Sequence, residues 1–391
     1  MPINEKKAVQ AGPPTFECHT NKGRRNCKMD ESASIPQYKL FINPIVLREL
    51  RRDIWIDEPV PAQLIIDGKR LEIDVAYRGS HIRAFPKKSY QVSFYKPKKF
   101  RGSKHIHLNA EFKDPSLIRN KLSFDFFAEL GVLSPQSRHI YLIQNGKAEG
   151  VYLEIEAVDE NFLNRRGLPK GSIFYAVDGD ANFSLMSDLD KETKKSLLLG
   201  YDRKIGEPED DYHLQELIFK INTLTNNEFE KEIQKLVDVN QYLRWMAGII
   251  FTSNYDGFVH NYALYRNGET RLFEIIPWDY DATWGRDVNG KVMEPDYVPI
   301  DGFNTLTARL LYVDTFRKQY RMLLEEIMNQ QFTVEHMIPK VEKLTQMIRP
   351  YVMQDPYRKQ NLDIFDKEVS IITKYIEERR TYLYRKLAKL D

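Results

Sequence analysis

Cysteine is nearly missing from this chain. Among 391 residues only Cys18 and Cys27 carry thiols, so no disulfide framework spans the fold. With His19 they offer three ligands, one short of a structural zinc site. No stretch approaches the ~20 apolar residues of a membrane-spanning helix. The opening MPINEKKAVQAGPPTFE lacks the apolar core of a signal peptide, so the expectation is a soluble protein not exported by the general secretory route. Charge of one sign is also scarce. A net +2 argues against a protein built to bind nucleic acid through its phosphates. A Walker A motif and a Gly-rich G-x-G-x-x-G loop are both absent, and the body shows no repeats or low-complexity tracts.

What is present suits a large globular fold. Hydrophobic residues make up 42% and charged residues 29%, enough for a sizeable core. Residues 1–36 differ: they are rich in Lys, Arg, Pro, Gly, Asn and Ser without apolar periodicity, which predicts a flexible, mildly basic tail. From Tyr38 onward QYKLFINPIVLRELRRDIW passes from a strand pattern to a helical one. Three hairpin signals follow, with expected two-residue turns at Asp67-Gly68, Asn145-Gly146 and Asn267-Gly268. The segment LIRNKLSFDFFAELG reads as a helix, with Asp114-Pro115-Ser116 at its start and Gly131 at its end. Helical patterns dominate afterwards, including TLTARLLYVDTFRKQYRMLLEEIM as one helix. The expectation is an α+β fold of two lobes, a sheet-rich one over 37–160 and a helix-rich one over 161–391. A cleft lies between them, and one hairpin is embedded in the second.

The chemistry concentrates at that embedded hairpin. SNYDGFVHNYALYR places Asp256 five residues before Asn261, where a strand begins. With a two-residue turn at Asn267-Gly268, paired positions bring Asn261 opposite Glu274 and, extrapolated past the strand ends, Asp256 near Asp279 of PWDYD. Asp256, Asn261, Asp279 and the adjacent Asp281 thus share a small volume. Clustered carboxylates repel one another unless a hard cation sits among them, and Mg²⁺ takes such oxygen ligands. The order has a parallel in protein kinases, where a catalytic Asp precedes a metal-binding Asn by five residues and a hairpin leads to a metal-binding Asp. The triplets H-R-D and D-F-G are replaced here by N-Y-D and W-D-Y. A solvated loop with a structural acidic pair is the plainer alternative.

Positive charge for a phosphate is offered by AYRGSHIRAFPKKSYQVSF. Arg78-Gly79-Ser80 ends a strand in a turn whose backbone N–H groups can approach phosphate. Lys87 and Lys88 open the next strand. Alternation puts Lys88 on the face of Tyr90, Val92 and Phe94, which makes it the better candidate to reach a nucleotide. Glu154 and Glu156 read as inter-lobe residues or as sheet-edge ion pairs. His260 reads as structural, and Trp278 and Trp284 as loop packing.

Taken together, AYRGSHIRAFPKKSYQVSF, DPSLIRNKLSFDFFAELG, GVYLEIEAVDENFL, SNYDGFVHNYALYR and IPWDYDATWGRD resemble the spore coat protein H (CotH) kinase family, near its bacterial members. The resemblance runs from about Tyr38 to the C-terminus. It implies an atypical protein-kinase-like fold with a nucleotide cleft, using ATP and Mg²⁺ (or Mn²⁺) to phosphorylate serine, or threonine, in proteins. The implied substrates are CotB-like and CotG-like Ser/Lys/Arg-rich coat proteins. The implied setting is the spore coat, after synthesis in the mother-cell cytoplasm. By motif, Asp256 is the implied base, and Asp279 and Asn261 the metal ligands. Arg78, Ser80, Lys87 and Lys88 are the phosphate-contacting group, with Glu154 and Glu156 as candidate acidic partners. The competing readings are a coat-assembly scaffold without turnover and a nucleotidyl transferase that attaches AMP.

Overall fold

The computed structural model describes residues 34–95, 100 and 102–391; the tail expectation falls almost wholly outside them. Ile35–Asp391 forms one compact unit. Its first strand, β1 (Gln37–Ile42), buries every second residue, as alternation requires. Asn43 then caps α1 (Pro44–Arg52), accepting from the Ile45 amide, with proline at the tolerant first position. β2 (Val60–Ile66) and β3 (Lys69–Tyr77) are joined by the expected two-residue turn, in which Asp67 and Gly68 take φ of 50° and 74°. After β4 (Tyr90–Phe94) and β5 (His105–Asn109) comes α2 (Arg119–Glu129). It starts later than the sequence suggests. Asp114 accepts from the Ser116 and Arg119 amides, both at 2.9 Å, and so organises a turn ahead of the helix.

β6 (Ser137–Gln144) and β7 (Lys147–Glu156) form the second hairpin, again with a two-residue turn. The strand order is β1-β2-β3-β4-β5-β7-β6, and parallel pairing of β1 with β6 closes it into a barrel. Closure removes the exposed edges. Leu64, Ile73, Val92, Leu108, Ile140 and Tyr152 are among the side chains that fill the interior.

The second half holds more sheet than its sequence suggests. After α3 (Glu160–Arg165), β8 (Gly171–Ala176) and β9 (Tyr201–Ile205) precede α4 (Asp210–Thr223), α5 (Asn226–Ile233) and α6 (Val239–Thr252). With β10 (Tyr262–Asn267) and β11 (Phe273–Pro277) they make a four-stranded sheet ordered β11-β10-β8-β9. The third hairpin has a longer connection than expected. Tyr262 pairs with Pro277 and Arg266 with Phe273, so the register is displaced by four residues. The Asn267 side chain explains this: its Oδ1 accepts from the Glu269 and Thr270 amides at 3.0 and 3.2 Å, closing a loop over 268–271.

The segment expected to be one helix is two, α7 (Thr305–Tyr312) and α8 (Asp314–Gln330), broken where Val313 is extended. α9 (Val334–Val352) and α10 (Leu362–Lys386) complete the chain. Phe126 and Phe127 of α2 join Trp245 and Phe251 of α6 in the largest apolar cluster, so residues from both sides of position 160 share one core. Among the described residues, no helix is long and apolar enough to cross a membrane.

Candidate active site

A cavity of about 740 Å³ opens between the barrel and the four-stranded sheet. Arg78, Ser80, Lys87, Asn109 and Glu111 line it from the barrel side, and Asp256, His260, Asn261, Trp278, Asp279 and Asp281 from the sheet side. The β10–β11 hairpin explains the second set. α6 ends at Ser253, which turns left-handed at φ 53°. A short turn follows in which the His260 amide donates to the Asp256 carbonyl at 2.9 Å. Asn261 then donates its amide to Ala176 of β8 at 3.2 Å and accepts from the Trp278 amide at 3.1 Å. Asn261 therefore faces Trp278 rather than Glu274, and Asp279 is the next residue. Asn261 and Asp279 both hold left-handed backbones, φ 60° and 61°. Asn and Asp tolerate that region better than other side chains.

A polar chain crosses the cavity from this hairpin. Asp279 Oδ1 accepts from Asn109 Nδ2 at 3.2 Å. Asn109 Oδ1 accepts from the Arg78 guanidinium, which lies 5.2 Å from the centre of the Trp278 ring. Burial lowers the Arg78 pKa, while Asp279 acts to raise it. Trp278 also packs on Tyr175 and, edge-on, on His107, each at 5.2 Å. Its ring is thus part of the cavity wall as well as loop packing. His260, read as structural, lines the cavity with its Nδ1 unpaired.

The acids carry the electrostatic signature. Burial, and then the charge of Asp279, push Glu111 up to about 8, against the amides of Asn120 and Asn109. Asp281 is held well above the usual carboxylate range by burial, Asp279 and Glu111. Such mutual suppression marks a site short of positive charge. Glu111 Oε2 is a buried oxygen with no hydrogen-bond partner. Among the described residues no three His, Cys, Asp or Glu side chains close into a ready-made cage. Mg²⁺ does not ordinarily need one: it takes one or two carboxylates and completes its shell with phosphate oxygens and water. An oxygen-only donor set of Asn261, Asp279 and their neighbours fits such a cation.

The two lysines exchange the places expected of them. Lys87 lines the cavity, its Nζ donating to the Val151 carbonyl at 2.5 Å and to Asp355 Oδ2 at 3.2 Å. It lies 4.6 Å from the Tyr152 ring centre. Burial lowers its pKa, and Asp355 opposes the fall. Lys88 instead donates to the Arg83 carbonyl and lies over Tyr77, 5.9 Å from the ring centre, outside the lining of the cavity. Alternation misleads here because β4 begins only at Tyr90, so neither lysine stands in a regular strand. Glu154 and Glu156 are also elsewhere. Glu154 pairs with Arg138 at 2.8 Å, and Glu156 with Arg165 and Arg166 at 3.1 and 2.8 Å. Both border a separate hollow of about 120 Å³. They are ion-paired residues of β7, a strand paired on both sides in the barrel, and the acidic partner of Lys87 is Asp355. Asn109, Glu111, Asn120 and Asp355 escaped the sequence reading, since no short spacing links them to the hairpin.

A family profile described as CotH kinase protein matches residues 75–383. The chain is 61% identical over 355 residues to the inner spore coat protein H of Bacillus subtilis (strain 168), covering 91% of this chain and 98% of that protein. It is 28% identical over 311 residues to an inner spore coat protein H-like protein of the same strain, covering 78% and 87%. Among solved structures, HipA of the Shewanella oneidensis MR-1 toxin–antitoxin complex superposes with a TM-score of 0.36 at 13% identity, over 90% of this chain and 76% of that one. The Helicobacter pylori proinflammatory kinase CtkA gives 0.28 at 12%, over 73% and 94%. These superpositions are loose.

Proposed function

This chain belongs to the CotH kinase protein family, and on that premise we propose that it is an ATP- and divalent-metal-dependent kinase of spore coat proteins, acting on serine or threonine hydroxyls. Its mixed sheet-and-helix architecture is accordingly kinase-like, with the barrel and the helical half as lobes and the cavity as nucleotide cleft. The observation that carries the reading is the meeting of Asp256, Asn261 and Asp279 with Arg78 and the buried Lys87 around one cavity. Asn261 and Asp279 would hold the Mg²⁺ or Mn²⁺ ion, which supplies charge neutralisation at the phosphates when bound. Arg78 and Lys87 bind the phosphates from the barrel side, with the Ser80 turn beside them. Asp256 orients the acceptor hydroxyl and takes its proton. Positioning and fixed charge do most of the work.

A second hollow, of about 320 Å³, adjoins the cavity and shares Gln91, His107, Tyr175 and Lys204 with it. Ala157 and Val158, which follow β7, form part of its wall. Its size and position suit the nucleotide base. The name of the Bacillus subtilis relative supports the spore coat as the location; the substrates proposed are Ser/Lys/Arg-rich coat proteins of the CotB and CotG kind, as the family resemblance implies.

The test is incubation with labelled ATP, Mg²⁺ or Mn²⁺ and a Ser-rich coat protein, followed by mass spectrometry of that protein. Addition of a phosphate to serine or threonine supports the reading. An adenylate adduct would establish nucleotidyl transfer instead. No adduct, together with normal spores from an Asp256→Asn strain, would leave a scaffold.

A further inference from the structure

Glu111 belongs to no motif, yet its surroundings hold it in one place. It follows β5 by two residues and takes a left-handed backbone, φ 48°. That conformation costs a non-glycine residue on the order of 1 kcal/mol or more. Arg358 keeps it there, its Nη2 donating to the carbonyls of Glu111, Phe112 and Asp114. The residue is only 5% exposed. Its Oε1 accepts from Asn120 Nδ2 at 3.1 Å, while Oε2 has no hydrogen-bond partner and the side chain lines the cavity.

Asn120 joins this acid to the hairpin end. Its Oδ1 accepts from the Tyr280 amide at 3.0 Å, and Tyr280 stands between Asp279 and Asp281. One amide therefore ties the Glu111 loop to the turn that carries both acids. A buried acceptor without a donor costs about 1–3 kcal/mol. The bond to Asn120 needs only one carboxylate oxygen, so the other has no structural employment. An ionised neighbour such as Asp279 cannot satisfy a carboxylate oxygen; a cation between the two satisfies both.

We infer that Glu111 is a further ligand of the divalent cation, supplied from the barrel side to an ion held by Asp279 and Asn261 from the hairpin side. The inference rests on the metal dependence proposed above and adds to it that metal binding ties the two walls of the cavity together.

Glu111→Gln tests it cleanly. Glutamine keeps the length of the side chain and an oxygen to accept from Asn120, and replaces the second oxygen with an uncharged NH2 that cannot ligate a cation. Binding of Mn²⁺ to the full chain is read by electron paramagnetic resonance, with and without a non-hydrolysable ATP analogue, alongside thermal melting in Mn²⁺ and in EDTA. The expected result is that Glu111→Gln weakens Mn²⁺ binding roughly tenfold or more. It should also lose most of the Mn²⁺-dependent rise in Tm, while melting in EDTA no lower than the wild type. Wild-type Mn²⁺ affinity in Glu111→Gln, with affinity lost in Asp279→Ala, overturns the role of Glu111 and leaves the metal site standing. A wild-type chain that binds no Mn²⁺ even with nucleotide overturns the metal dependence and the ligand with it. If Glu111→Gln does not fold, Glu111→Asp, which withdraws the carboxylate by one methylene, is read in the same way.

Discussion

The Lys87 ammonium and the Asp355 carboxylate stand 3.2 Å apart, and neither side chain reaches solvent. They come from positions 268 residues apart in the chain, so their contact stitches the approach to β4 onto the segment after α9. Asp355 is fully used. Its Oδ2 also accepts from the Val151 amide at 2.9 Å, and its Oδ1 from the Tyr357 amide at 2.8 Å. Removing one partner of a buried pair leaves an uncompensated charge, at a cost of about 3–5 kcal/mol. Asp355→Ala should therefore lose that much in urea unfolding. Asp355→Asn, which keeps an acceptor, should lose less. Equal stability of Asp355→Ala and the wild type would show that the pair does not hold the fold.

Gly150 makes the same point from the other side. Its φ is 93°, and a Cβ there would come within 1.9 Å of Asp355 Oδ2. Gly150→Ala is thus strained in its backbone and must displace the carboxylate that holds Lys87. A destabilisation of at least about 2 kcal/mol is expected, above the ~1 kcal/mol of a simple glycine-to-alanine conformational penalty. Combined with Asp355→Ala, the two losses should be strongly non-additive. A double-mutant cycle in urea measures this, and additive losses would argue against the clash.

At the proposed site the hairpin acids should separate by kinetics. Asp256→Asn is expected to lower phosphoryl transfer roughly 10²–10⁴-fold while ATP binding is kept. Asp279→Ala should reduce nucleotide binding in Mg²⁺ to the level seen in EDTA, and it also strips Asn109 of its acceptor. Calorimetric ATP titrations beside initial rates distinguish the two. If both variants transfer phosphate at the wild-type rate, Asp256 and Asp279 have no part in the reaction.

Local chemistry was legible in the sequence; distant contacts were not. The turns at Asp67-Gly68 and Asn145-Gly146 declare themselves because their left-handed backbones are intrinsic to those residue types. Asn267-Gly268 carries the same letters for other reasons. Asn267 closes a longer loop with its side chain, and a Cβ at Gly268 would lie 1.9 Å from the Lys170 carbonyl. A four-residue error in register still left Asp256, Asn261 and Asp279 together, since both segments emerge at the same end of the hairpin. Alternation favoured Lys88, yet Lys87 lines the cavity, because β4 begins only at Tyr90 and neither lysine stands in a regular strand. Asn109 and Glu111 meet the hairpin only through tertiary packing, which no spacing announces.

Acid should weaken the fold through a residue outside the cavity. His139 is buried, with Nε2 2.7 Å from the Leu117 carbonyl and Nδ1 without a partner. That contact wants the ring proton on Nε2. Burial pushes the pKa from the ordinary 6.5 down to about 4, against the hydrogen bond to Leu117. Between those values the unfolded chain binds a proton that the folded chain refuses, so stability falls as pH falls through this window. The contribution of His139 is on the order of 3 kcal/mol across it, and below about 4 its slope vanishes. His105 and His107 are lowered by burial as well, so they add to the slope in the same direction. His139→Gln, which keeps an N–H donor but cannot titrate, should flatten the profile by one proton's share while the rest persists. Urea midpoints measured from pH 7 to 4 compare the two proteins. Parallel profiles would mean that His139 is protonated as readily in the folded chain as in the unfolded one.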